Sequence, residues 1–212
     1  MRLSVLALVL LGIPRAPLAG PPAPEGDTYL PLGKGYKWVY KTDYDEMEIV
    51  HEVAGAEKVG DVDCFVVEHK TVIASADRTR VLWKEWVAVS DEGVKIHKLQ
   101  RGRSEITIEK PFFKIKDILK KDDEWEGLGQ AEENPPKYHY LVEEENEVEV
   151  PAGKFKAWKV HVKIESGDRH TSDSYEWYAK GVGLVKAEMT VKFGNEGATT
   201  ISELKEFKRP TK

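Results

Sequence analysis

The sequence predicts an all-β protein with at most one short helix, built on a strongly curved antiparallel sheet that forms a half-barrel or barrel. Three observations predict it. Turn signals recur at short intervals, and the runs between them are rich in Val, Ile, Tyr, Trp and Thr. Several of those runs also alternate apolar with charged residues. Short strands punctuated by regular turns are the pattern of sandwiches, barrels and curved meanders. Alternation is the period of a strand with one face buried and one in water. It favours antiparallel sheet over parallel, whose strands read as continuous apolar runs.

The chain opens with a segment set apart from that pattern. Arg2 gives a positive start, residues 3–13 are an apolar run, and residues 14–20 are rich in small residues and proline. This is the make-up of a signal peptide, and the apolar run is shorter than the roughly 20 residues a bilayer requires. A buried helix is the competing reading; Pro14, Pro17, Pro21, Pro22 and Pro24 oppose it. Cleavage is expected after Ala19 or Gly20. The expected organisation is then a signal peptide over residues 1–20, a flexible leader over 21–28, a single β domain over 29–208 and a tail over 209–212. A β domain of this length has enough chain for one real core.

Strands are expected to start near Tyr36, Met47, Val62, Arg80, Val94, Glu105, Tyr138, Glu147, Phe155, Ser174, Leu184 and Thr199, and two of these can merge. The turns between them include Gly33-Lys-Gly35, Val59-Gly-Asp61, Asp91-Glu-Gly93, Arg101-Gly-Arg103, Ala152-Gly153 and Ser166-Gly-Asp168. In one run Trp158, Val160, Val162 and Ile164 share a face opposite Lys159, His161, Lys163 and Glu165. In another Val185, Ala187, Met189, Val191 and Phe193 alternate with Lys186, Glu188, Thr190 and Lys192. Charged outer faces of this kind discourage edge-to-edge aggregation. The one helix candidate is residues 112–121, apolar at Phe112, Phe113, Ile115, Ile118 and Leu119. Residues 120–136 read as a polar, proline-containing connection.

Composition narrows the functional class. Hydrophobic residues make up 41% and charged residues 33% of the chain, a well-solvated surface around a modest core. Removing residues 1–20 would take away Arg2 and Arg15 and move the net charge from −5 to −7. An acidic exported protein is a poor partner for nucleic acid. The single cysteine, Cys64, has no intramolecular disulfide partner and lies among apolar neighbours, so it reads as a buried thiol and not a nucleophile. The chain contains no Asn-x-Ser/Thr sequon, which leans toward a bacterial source.

Catalytic and metal signatures are incomplete. His51-Glu-Val-Ala-Gly55 begins like a zinc-protease motif, but its fifth residue is Gly and the period places it on a strand. His69, His97, His139, His161 and His170 stand singly and read as surface strand residues. Gly33-Lys-Gly35 and Gly181-Val-Gly183 lack the residues that complete a phosphate-binding loop, and neither leads into a helix. The run Glu143-Glu-Glu145 reads as a solvated edge; paired with a carboxylate elsewhere it would suit a hydrolase. Six Trp residues (38, 83, 86, 125, 158 and 177) lie on or beside strands. They are expected to pack the core, and in a curved sheet they can also wall a cavity.

Two stretches carry a resemblance. They are Val150-Pro-Ala-Gly-Lys-Phe-Lys-Ala-Trp-Lys-Val160 and Trp177-Tyr-Ala-Lys-Gly-Val-Gly-Leu-Val-Lys186, joined by the entry run Tyr29-Leu-Pro-Leu-Gly-Lys-Gly-Tyr-Lys-Trp-Val-Tyr40. Together they resemble a group of uncharacterised exported bacterial proteins, similar in style to the LolA/LolB-like lipoprotein-carrier architecture. Lys121-Asp-Asp-Glu-Trp125 departs from the group's pattern, in which Gly precedes the Trp. The resemblance implies a curved antiparallel sheet with an apolar cavity, often plugged by a helix, and no catalytic residues; this chain has fewer helical segments than such carriers.

The expected function is therefore non-catalytic binding or surface interaction outside the cytoplasm, in the periplasm or beyond it. The expected partner is an apolar or lipid-like small molecule or an envelope protein, with the chain a monomer. No cofactor, metal site or catalytic residue is expected. Trp158, Val160, Trp177 and Met189 are the expected cavity-wall residues. The alternatives are a hydrolase using clustered carboxylates and a His, and a structural or assembly module of the cell envelope.

Overall fold

The computed structural model describes residues 28–44, 46–129, 135–166, 170–193 and 196–209. The signal peptide and nearly all of the leader expected from the sequence lie outside the described residues. Twelve strands form one antiparallel sheet, nearly closed into a barrel. They are β1 (Lys37–Thr42), β2 (Met47–Val59), β3 (Val62–Ile73), β4 (Arg78–Ser90), β5 (Gly93–Arg101) and β6 (Ser104–Lys116), then β7 (Glu124–Leu128), β8 (Lys137–Val150), β9 (Gly153–Ser166), β10 (His170–Ala179), β11 (Gly183–Phe193) and β12 (Glu196–Lys208). The spatial order is β6-β5-β4-β3-β2-β1-β12-β11-β10-β9-β8-β7. Each half of the chain is thus a six-stranded meander, and the two meanders join where β1 pairs with β12.

The sheet curls because its ladders are interrupted. Register shifts occur in the pairings of β1 with β12, β2 with β3, β3 with β4, β4 with β5, β5 with β6, β8 with β9 and β10 with β11. A bulge bends its strand and sharpens the local twist, so bulges spread round a sheet coil it toward closure. The free edges, β6 and β7, meet at a seam held by side chains. Trp125 Nε1 donates to the Phe113 carbonyl at 2.8 Å. Gly127 lies so close to Phe112 that a Cβ there would sit 2.2 Å from the ring. On the barrel side of the seam Trp125 stacks on Tyr140 at 5.0 Å, and Phe112 packs on Tyr138 at 4.9 Å.

Two expectations need correction. Residues 112–116 belong to β6 and are not helical; among the described residues the only helical element is the 3-10 turn Ala74–Ala76. The apolar spacing that mimics a helix there comes from a bulge. Ile115 pairs with Val94 and Phe113 with Lys95, which leaves Lys114 as the extra residue and breaks the alternation. The connection expected over residues 120–136 also contains the strand β7. The turn before Trp125 uses Asp122, at φ 65, in the left-handed conformation.

The β10–β11 hairpin holds the chain's entry segment, and the β8–β9 hairpin is tied to β12. Gly181 and Gly183, at φ 71 and 104, shape the β10–β11 turn. The Gly181 N–H donates to the Thr28 carbonyl at 2.8 Å, and Trp38 Nε1 donates to the Val182 carbonyl at 2.6 Å. The Ala152 N–H of the β8–β9 turn donates to the Leu204 carbonyl of β12 at 2.9 Å. Held this way, Tyr29, Leu30 and Leu32 lie buried in the core.

Candidate functional site: an interior cavity

The barrel interior is filled unevenly. Near the seam, Phe112, Trp125, Tyr138, Tyr140, Val142 and Val160 pack together. On the other side, between β2–β4 and β10–β12, a cavity of about 160 Å³ remains. Leu30, Leu32 and Trp38 line it from the entry segment and β1, Val67 and Val87 from β3 and β4, and Leu184, Ala187 and Met189 from β11. Thr200, which pairs with Met189, and Ser202 complete the wall on β12.

Alternation explains which residues reach inside. His51 and His69 face each other across β2 and β3, and His69 faces Trp83 on β4. Trp83, Glu85 and Val87 therefore share the inner face of β4, and Ser174, Glu176 and Tyr178 share that of β10. The bulge that leaves Lys114 unpaired turns its side chain inward.

These residues form a column of rings ending in an ion pair. His51 packs edge-on against His69 with centroids 4.2 Å apart, and His69 stacks on Trp83 at 4.3 Å. Glu85, 6% exposed, accepts from Lys114 Nζ at 2.8 and 3.0 Å. Burial disfavours the Glu85 charge, but Lys114 and His69 more than offset it and hold the carboxyl well below the usual range. Lys114 in turn is raised, because the charges of Glu85 and Glu176 outweigh its burial. Burial pulls His51 well below the ordinary imidazole range, with His69 adding to the effect. Burial also lowers His69, against the opposing pull of Glu85.

Two groups of this wall are incompletely partnered. His69 is 2% exposed, yet neither ring nitrogen makes a hydrogen bond. Its Nε2 lies 3.3 Å from Glu85 Oε2, close enough for charge attraction but poorly aligned for donation. Glu176 accepts from the Tyr178 hydroxyl at 2.6 Å, and Ser174 Oγ lies 3.4 Å away. Among the described residues no Lys, Arg or His pairs with Glu176. Nor does any group of three His, Cys, Asp or Glu among them have the geometry to hold a metal ion.

The residues singled out from the sequence are dispersed. Met189 lines the cavity. Val160, fully buried, pairs with Glu176 on the neighbouring strand, among the residues packed toward the seam. Trp158 pairs with Tyr178 and packs beside Tyr29, on the core side of the entry segment. Trp177 faces away from Glu176 and Tyr178, with Lys159 and Lys186 5.7 and 5.0 Å from its ring. Glu143 and Glu145 pair with Lys159 and Lys156 and take no part in the cavity wall. The expectation that His69 is a surface residue is overturned: it belongs to the buried ring column. Cys64 is fully buried on the opposite face of β3 beside Val66 and Trp86, and burial, helped by Asp63, pushes its thiol up to about 11.

Residues 140–200 match the model of a family described as DUF3108-like. That stretch contains both C-terminal hairpins. No curated protein matches the chain. Two crystal structures are similar in shape. One, a candidate lipoprotein from Parabacteroides distasonis, has 15% identity and a TM-score of 0.47, with 87% of this chain and 100% of that chain covered. The other, a candidate exported protein with a YmcC-like fold from Bacteroides fragilis, has 14% identity and a TM-score of 0.49, with 86% and 100% covered.

Proposed function

We propose that this chain is an exported bacterial binding protein whose barrel holds a small, largely apolar ligand. The observation that carries the reading is the cavity of about 160 Å³, lined mainly by Leu, Val, Ile, Trp, Tyr and Met side chains. Apolar pockets with a few convergent polar groups are the usual form of small-molecule sites, and an apolar cavity of about 150 Å³ is enough to take benzene. The signal-peptide composition of residues 1–20 supports export. Trp38 and Trp83 both line the cavity and report on its contents. Titrating octan-1-ol should shift or quench the tryptophan emission saturably, and Trp83→Phe should remove much of that response. An emission spectrum that stays unchanged up to the solubility limit of octanol contradicts the reading.

A hydrolase is the second reading, and one observation favours it: Glu85, Glu176, His51 and His69 converge on one cavity. In that reading His69 is the base, and octanoyl esters turn over at a rate lost in His69→Gln. The binding reading predicts no turnover above the uncatalysed rate.

A further inference from the structure

The cavity's charge bears on what its ligand looks like, an inference that rests on the binding reading above. Three formally charged side chains line it: Glu85, Lys114 and Glu176. Glu85 and Lys114 neutralise each other through contacts of 2.8 and 3.0 Å. Glu176 has a neutral phenol and a hydroxyl in contact and no ion pair among the described residues; Lys114 senses its charge but makes its contacts with Glu85. The histidines do not change the sum, because burial keeps both largely uncharged at neutral pH. Arg101 lies 5.8 Å from the centre of the Trp83 ring and is exposed to water, where its charge is screened. The cavity therefore carries one negative charge in excess, set among aromatic rings.

We infer that the site takes an amphiphile with a cationic alkyl-ammonium head and discriminates against fatty-acid carboxylates. Three observations on the wall converge on this. Glu176 is a carboxylate that makes no contact ion pair among the described residues, and attraction to an ammonium group strengthens where water is excluded. Tyr40, Tyr178 and Trp38 line the same cavity, and aromatic rings attract cations. His69 is buried with Nδ1 unpartnered and Nε2 only in a poorly aligned 3.3 Å contact with Glu85, so its ring offers an acceptor that an N–H donor on the ligand would satisfy. A carboxylate head would instead meet Glu176 as a like charge, and Lys114 is already committed to Glu85.

The test compares octylamine, octan-1-ol and octanoate on the full folded protein by tryptophan emission, with Glu176→Gln and Ala187→Lys alongside. Ala187 pairs directly with Glu176, so the second variant places an ammonium group beside that carboxylate. Octylamine should bind at least about tenfold more tightly than octanoate, with octanol between them. Glu176→Gln should erase the preference for the amine while leaving octanol binding in place, which also shows that the variant is folded. Ala187→Lys should reverse the order of amine and carboxylate. Octanoate binding as tightly as octylamine to the wild type overturns the inference, as does a preference that survives both variants. Failure of all three octyl compounds to bind overturns the underlying binding reading.

Discussion

Glu85 is where residue chemistry and stability meet. It is a buried carboxylate whose charge persists because Lys114 and His69 surround it. Removing one member of a buried pair strands the other, at a cost of about 3–5 kcal/mol. Lys114 is 23% exposed and recovers some hydration, so Glu85→Gln should destabilise by about 3 kcal/mol in urea unfolding, the low end of that range. The histidines give the pH dependence a definite sign. Both have folded values below their unfolded ones, so protons bind the unfolded chain more readily. Their contribution is complete above about pH 6.5 and is lost as pH falls through and below it. Glu85, also depressed, adds a further loss below about pH 4.3. The Tm should thus fall between pH 7.5 and 5, and fall less in His69→Phe; a Tm that is flat or rises on acidification contradicts this. Little of the arrangement is legible in the sequence. Trp83-Lys-Glu-Trp-Val87 puts a Trp on both faces of its strand, so alternation does not say whether Glu85 points in or out. His51 and His69 stand 18 residues apart and become neighbours only through the β2–β3 register.

At the scale of elements, hairpins and clean alternations are readable and interruptions are not. The run from Trp158 to Ile164 alternates because β9 pairs with β10 without a shift, and its inner face is the one the sequence marks. The stretch around Lys114 misleads because a bulge places Phe112, Phe113 and Ile115 at near-helical spacing. The strand Glu124–Leu128 is too short to display a period, although it closes the seam. That closure rests on Trp125, whose N–H reaches the Phe113 carbonyl across two edges that share no ladder. Trp125→Phe keeps an aromatic ring but loses part of the indole's buried area and leaves the carbonyl without its donor, and the lost hydrogen bond alone should cost about 1–3 kcal/mol. It should also speed amide hydrogen exchange selectively in β6 and β7. Exchange that rises uniformly through all strands would show that the seam is not a separate weak point.

The whole molecule is two meanders closed around a core that is packed on one side and hollow on the other. The hairpin turns that mark the sequence act at this scale. Gly181 and Val182 grip the entry segment, and Leu30, Leu32 and Trp38 of that region become wall of the cavity. The sequence motifs thus build the site without supplying the groups that make it distinctive. Those groups, His69, Glu85, Lys114 and Glu176, come from four strands in both halves of the chain. The binding reading requires the hollow side to be a site and not a packing defect. Ala187, which lines the cavity, allows a direct test, since Ala187→Phe would fill the space from within. Calorimetric titration of octan-1-ol into both proteins should give saturable binding to the wild type and none to the variant, whose Tm should be equal or higher. Equal binding to both, or to neither, would contradict a binding role for the hollow side.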